Sequence, residues 1–259
     1  MVMLTAVVSS LLVTTGCIRI VPGGEGVTGS STLVTKEFDF TGFTDIEVGN
    51  AFEVDVTRSD TYSVKITLNE NLFDYLDVSL SGRTLQIRMK SHYTFFRATR
   101  QASITLPDLR ALDVSGASRG EVTGFDTAGT MYLEVSEASN LALTDLTAGE
   151  VRLVVSGASR TTGSIDAGDA YFEISGASTV ELEGSATDAE LEISGASTAR
   201  LERFPMETAR VDASGASNAT VEVSDRLNIE VSGASRLVYS GDAVLGSVHV
   251  SGGSTLSRR

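Results

Sequence analysis

The chain has 259 residues, 41% of them hydrophobic, with 34 acidic against 20 basic side chains and a net charge of −14. That acidity excludes the basic patches needed to hold a nucleic acid or to adsorb directly onto an anionic lipid surface. Tryptophan is absent, and a single cysteine excludes an intramolecular disulfide framework. Length and composition suit one elongated domain with a long, narrow aliphatic core.

Met1 to Val13 is an uncharged apolar run, too short to span a bilayer as a mature helix, and it ends in Thr14, Thr15 and Gly16 ahead of Cys17. Residues 1–16 therefore read as a signal peptide. Cys17 after such a run resembles the lipobox of bacterial lipoproteins, in which the thiol is acylated and becomes the new N-terminus. An ordinary signal peptide with an incidental cysteine is the competing reading. The resemblance implies a lipid-anchored protein of the bacterial cell envelope, facing the periplasm or the outside. Ile18, where aspartate would be a retention signal, implies the outer membrane in a cell that has one.

Residues 17–35, rich in glycine and serine after the cysteine, read as a flexible tether. From 36 to 112 the chain is strand-rich. Ile46 to Val48, Phe52 to Val56, Tyr62 to Ile66 and Leu85 to Met89 alternate apolar and polar residues, the last of these after a turn at Ser81-Gly82. Asn69 to Leu76 suits a short helical turn with Asn69 as its cap. Tyr93, Phe95, Phe96, Arg97 and Arg100 form an aromatic and basic cluster. It is a candidate ligand surface, since rings and guanidinium groups hold sugars or peptides without deep burial. The competing reading makes two of its rings plugs for the first coils. This whole segment is expected to cap one end of the fold.

Residues 113–256 are dominated by one tetrapeptide in eight copies, beginning at Ser115, Ser136, Ser156, Ser175, Ser194, Ser214, Ser232 and Ser251. Six read Ser-Gly-Ala-Ser; the second has Glu137 for glycine and the last Gly253 for alanine. The spacings are 21, 20, 19, 19, 20, 18 and 19 residues. A period near twenty, flanked by period-two alternation such as Leu133/Val135 and Val180/Leu182, predicts an all-β solenoid of short strands. The tetrapeptides, at Ser115-Gly116, Ser156-Gly157, Ser175-Gly176, Ser194-Gly195, Ser214-Gly215 and Ser232-Gly233, are expected to be corners. Their serines should form ladders and their alanines a thin internal row. If the glycine position demands positive φ, Glu137 carries strain.

Enzyme chemistry is thinly represented. His92 and His249 are the only histidines, and neither belongs to a metal-ligand pattern. Asp126, Asp145 and Asp166 lie in connections between coils, where stacking would align them into a column able to hold calcium or, more simply, into a row of solvated turn residues. No metal, cofactor or catalytic residue is expected.

The string Phe43 to Val48, the string Asn50 to Val56, the segment Asn69 to Leu76, Ile104 to Leu109 and the Ser-Gly-Ala-Ser array together resemble the bacterial head GIN domain family, whose usual label is an autotransporter adhesin head. The resemblance covers residues 36–256. It implies a right-handed, parallel β-helix-like fold, an envelope location and no established catalytic residue. The expected function is a non-enzymatic binding or adhesion module presenting a repetitive surface to a polysaccharide or an envelope protein. Two alternatives are a polysaccharide-active β-helix enzyme and a self-assembling scaffold that associates through the solenoid ends.

Overall fold

A computed structural model describes residues 25–259. Its repeats form a parallel β-solenoid. The strands Asn140–Val155, Arg160–Ile174, Thr179–Ile193, Thr198–Ala213 and Asn218–Val231 each run from one tetrapeptide to the next. Each pairs in parallel register with the coil that follows, as in Leu153↔Phe172, Phe172↔Leu191, Leu191↔Val211 and Val211↔Ile229. The coils are thus longer ribbons than separate short strands, bent midway where register shifts occur or where Gly163 and Gly184 sit at φ of +125° and +116°. No side chain fits at either glycine, because the carbonyl of Leu143 or Ile165 occupies the space of a Cβ.

The alternation read from sequence decides which face is inside. Val151, Leu153 and Val155, then Ala170, Phe172 and Ile174, then Ala189, Leu191 and Ile193 are all buried, while the residues between them face outward. The buried rows merge into one core running from Phe43 to Leu237. Full burial of each large aliphatic side chain contributes about 1.5–3 kcal/mol, and Phe172 and Phe204 meet inside the column with ring centroids 5.6 Å apart.

The corners differ from expectation in which residue turns inward. The alanines are exposed, and the buried row is formed by the fourth residue: Ser118, Ser139, Ser159, Ser178, Ser197, Ser217 and Ser235. The period-two alternation of the flanking strands carries through the turn: Val135, Ser139 and Leu141, like Val155, Ser159 and Thr161, share one parity and are buried, so counting from the strand puts the fourth residue inside and the alanine outside. The hydroxyls of Ser118, Ser139, Ser159, Ser178 and Ser235 accept from backbone N–H groups one coil away, as where Ser118 N donates to Ser139 Oγ at 3.1 Å and Ser139 N to Ser159 Oγ at 3.2 Å. Without them those amides would be buried and unpaired.

The glycine position does demand positive φ, between +63° and +78° from Gly116 to Gly233. Glu137 adopts it too, at φ 54°, so the strain anticipated from its sequence is present. The corners fall into two kinds. In the first two, the following alanines, Ala117 and Ala138, also have positive φ, and Ala117 N donates to Glu137 O of the coil above. From Gly157 onward the central peptide is turned over: Ala177 N donates to Gly157 O below, Ala196 N to Gly176 O and Ala216 N to Gly195 O, each at 2.8 Å. Where the two kinds meet, the central peptides of the Glu137-Ala138 and Gly157-Ala158 corners share no hydrogen bond among the described residues.

The N-terminal segment joins the same stack and then closes it. Asp45–Val48 and Glu53–Arg58 lie parallel beneath Ala111–Val114 and Arg119–Thr123. Gly49-Asn50-Ala51-Phe52 makes a ninth corner, with Ala51 N donating to Gly116 O and Phe52 N to Ser118 Oγ. Antiparallel pairing then ends the parallel ladder. Leu33–Glu37 pairs with Ser63–Asn69, Ser63–Asn69 with Arg100–Leu106, and Leu76–Ser81 with Thr84–Met89 around Gly82. Mixed pairing of this kind covers a sheet edge that would otherwise be open. The expected helical turn is a 3₁₀ helix, Glu70–Tyr75, but Asn69 does not cap it. Its amide is buried; Nδ2 donates to Ser30 O at 2.6 Å and Oδ1 accepts from Thr99 N at 2.7 Å.

The tether expected over 17–35 differs in its second half. Glu25–Thr28 pairs in parallel with Tyr93–Phe96, and Leu33–Glu37 is a strand of the cap. Alternation over so few residues, broken by Gly29 to Ser31, carries no strand signal of its own. The signal peptide, Cys17 and the first part of the tether lie outside the described residues.

Candidate binding surface

The aromatic and basic cluster splits between interior and surface. Tyr93 and Phe95 turn inward against Tyr75, with centroids 4.6 and 5.8 Å from it, while Phe96 is exposed beside Gly26. Arg97 occupies positive φ, 50°, and Arg100 is half-buried, which lowers its pKa. Two of the three rings therefore seal the first coils, and the five residues do not form one surface.

Asp126, Asp145 and Asp166 do not form the expected column. Asp126 aligns with Thr147 and Thr147 with Asp166, whereas Asp145 sits at a register shift with φ 52°. Among the described residues no group of three or more His, Cys, Asp or Glu is placed to hold a metal ion. His92 lies in the cap with Nδ1 3.0 Å from Ser91 Oγ, and His249 lies on the last long strand, so the two histidines belong to opposite ends.

Parallel register turns the outward residues into columns about 4.8 Å apart per step. The strand segments that lead into the corners carry two such columns side by side. The one nearer the corner runs Gln86, Glu47, Asp113, Glu134, Val154, Glu173, Glu192, Asp212, Glu230, His249. The neighbouring column runs Ala111, Tyr132, Arg152, Tyr171, Glu190, Arg210, Asn228. Like charges stacked in register repel. Burial, then Glu134, Glu47 and Glu137, push Asp113 up to about 6. Arg210 relieves the far end, with Asp212 at 2.8 Å and Glu190 and Glu230 at 3.8 Å.

Val154 breaks the acidic column beside Arg152. There Tyr132 and Tyr171 stand 48% and 36% exposed, with the Arg152 guanidinium 4.6 Å from the Tyr171 ring centroid. Arg152 is also hydrogen-bonded to Glu150, which together with the two phenols holds its pKa above the ordinary value. Tyr132 and Tyr171 are two coils apart, or about 10 Å along the column at the spacing of paired strands. A shallow recess of about 230 Å³ lies against Arg152, Tyr171, Glu173 and Glu190.

The face beyond the corners is different in kind. Its charges alternate and satisfy one another: Glu181 contacts Arg160 at 3.2 Å, Arg200 at 3.5 Å and Arg203 at 3.7 Å, and Glu183 contacts Arg203 at 2.6 Å. Near the cap this face forms a polar groove of about 650 Å³, into which Lys65, Arg119 and Arg160 project together with Glu53, Asp55 and Glu121. It lacks aromatic lining. Neither the Tyr-Arg column nor this groove was anticipated from sequence; aligning the tetrapeptides and reading down equivalent positions is the signal that finds both.

Residues 42–243 match the family model described as putative auto-transporter adhesin, head GIN domain. The chain belongs to this family. Solved structures share the head GIN domain's fold. A putative adhesin from Parabacteroides merdae ATCC 43184 superposes with a TM-score of 0.83 at 19% identity, covering 91% of this chain and all of that one. One from Parabacteroides distasonis ATCC 8503 gives 0.82 at 20%, with the same coverage. A putative lipid binding protein from the same organism gives 0.81 at 17%, again covering 91% and 100%. No curated protein matches this head GIN domain.

Proposed function

We propose that this head GIN domain is a non-enzymatic binding module of the adhesin type, held at the bacterial cell envelope through a lipidated Cys17, and that its ligand is an extended polysaccharide. The observation that carries the reading is the exposed Tyr132-Arg152-Tyr171 column on a rigid, in-register sheet. Two phenolic rings two coils apart match the disaccharide repeat of an extended β-linked glycan. Glu134, Glu150, Glu173 and Asp169 around them offer acceptors for sugar hydroxyls. The chain need not distort to bind, because the backbone ladder fixes the spacing, and weak contacts add along a polymer.

The test is retention of the soluble domain on an array of envelope and host polysaccharides, with reducing-end release recorded alongside. Retention without release, lost in Tyr132→Ala and Tyr171→Ala but kept in Phe96→Ala, supports the reading. Release of reducing ends makes the protein an enzyme. Retention that survives both tyrosine substitutions moves the surface elsewhere, with the Arg119 and Arg160 groove next in line.

A further inference from the structure

The two phenols of the Tyr132-Arg152-Tyr171 face do not stand alone. Each is followed, two residues on along its own strand, by an exposed carboxylate: Tyr132 by Glu134 and Tyr171 by Glu173. Residues two apart on a strand share a face and lie about 7 Å from each other. Parallel register sets Glu134 level with Val154 and Val154 level with Glu173. The two carboxylates are therefore two coils apart, the same interval that separates the two rings. The face carries one ring-and-carboxylate unit twice, with Arg152 and Val154 between the copies.

The charges around these units are unequal. Glu134 and Glu173 make no ion pair and no side-chain hydrogen bond among the described residues, while Arg152, the cation between them, is hydrogen-bonded to Glu150. Asp169 on the flank and Glu190 and Glu192 on the next coil add further negative charge. An anionic polymer such as a polyuronate meets repulsion along this face, whereas a cationic group meets carboxylates that have no other partner.

A free carboxylate beside an exposed ring complements a sugar that stacks one face on the ring and carries a cationic amino group at its edge. Successive sugars of an extended β-1,4-linked chain are flipped about the chain axis, so amino groups on one side recur at every second sugar. That disaccharide interval is the one at which Glu134 and Glu173 recur. The sugar between them rests over Arg152 and Val154 and turns its amino group to the other side, away from the carboxylate column. We propose that Glu134 and Glu173 make this face selective for a β-linked amino-sugar polymer with free amino groups. The inference rests on the polysaccharide reading of the Tyr132-Arg152-Tyr171 face and adds the charge class of its ligand.

Calorimetric titration of the protein at about pH 5.5, above the ordinary carboxylate range and below that of an amine, compares three probes. They are a β-1,4-linked glucosamine hexamer, its fully N-acetylated form and an oligogalacturonate of the same length. The glucosamine hexamer is expected to bind about fivefold tighter than the acetylated one, as two exposed ion pairs allow. The galacturonate is not bound, and added salt narrows the difference between the hexamers. Glu134→Gln combined with Glu173→Gln abolishes the preference and leaves the affinity for the acetylated hexamer unchanged, which also shows that the variant is folded. Glu230→Gln, in the same column three coils beyond Glu173, keeps the preference and so separates it from the general attraction of an acidic protein for a polycation. Equal affinity for the two hexamers, tighter binding of the galacturonate, or a preference that survives the double substitution or falls equally with Glu230→Gln overturns the inference and leaves polysaccharide binding standing. Failure of every probe to bind overturns both.

Discussion

Gly157→Ala and Gly215→Ala change the same residue in the same Ser-Gly-Ala-Ser motif at nearly the same φ, +75° and +78°, yet they will differ sharply in cost. Both place alanine in the left-handed region, which costs about 1–2 kcal/mol. At Gly157 the new Cβ meets only Glu137 N at 3.3 Å, because the carbonyl of residue 137 points to the coil below. At Gly215 it meets Gly195 O at 2.5 Å and Gly195 N at 3.0 Å. Relief there requires the coil to lift and the Ala216 N–H···O bond to Gly195, 2.8 Å long, to break, adding about 1–3 kcal/mol once a donor is left unpaired. Gly157→Ala is therefore expected to lose about 1–2 kcal/mol and Gly215→Ala about twice that. Urea unfolding followed by far-ultraviolet circular dichroism gives the two midpoints under one slope. Equal midpoints would refute the argument that carbonyl direction sets the tolerance of a corner.

The serine row offers a second matched pair. Ser139→Ala removes the acceptor of the buried Ser118 N–H and should cost about 1–3 kcal/mol, whereas the Ser197 hydroxyl has no partner and Ser197→Ala should stay within about 0.5 kcal/mol of wild type; thermal midpoints distinguish them. Asn69→Ala breaks the bonds to Ser30 O and Thr99 N and is expected to cost about 2–3 kcal/mol, with limited proteolysis showing new cleavage before residue 32. Asp113 is raised from 3.8 to about 6 in the folded chain. Its folded form binds the proton more tightly, so its contribution to stability is fully present below pH 4 and is lost as pH rises through about 6. Asp113→Asn removes that dependence and gains about 1 kcal/mol at neutral pH, a figure discounted for the solvent that reaches the group; unfolding midpoints between pH 4 and pH 7 that move in parallel with wild type would contradict it.

The solenoid was legible because one short string repeats near every twentieth residue, and a corner must recur wherever a coil closes. What lay between corners was half legible. Alternation marked Leu153, Phe172 and Leu191 as neighbours in the core, but nothing within one coil says that Tyr132, Arg152 and Tyr171 share a column until the coils are aligned. Inside the corner the alanine was expected in the interior, although the alternation of the flanking strands, carried through the turn, puts the fourth residue there. The ninth corner was hidden because Phe52, fully buried, stands where the other eight have serine. Residues 25 to 35 were placed in a tether because their partners, Tyr93 to Phe96 and Ser63 to Asn69, are far away in sequence. Contacts of that range leave no local periodicity.

The turned-over peptide between the Glu137 and Gly157 corners divides the molecule much as a domain wall divides a one-dimensional lattice. Above it, every corner hands its hydrogen bond downward in the same sense, and each corner matches its neighbour. A whole coil of about twenty residues inserted or removed between Gly157 and Gly252 therefore meets matching donors and acceptors on both sides. Below the wall the sense is reversed and tied to the cap, and the same insertion would find donors facing donors. The chain is thus built as a fixed base carrying an adjustable mast, whose height evolution or a designer can change in steps of one strand spacing without touching the base.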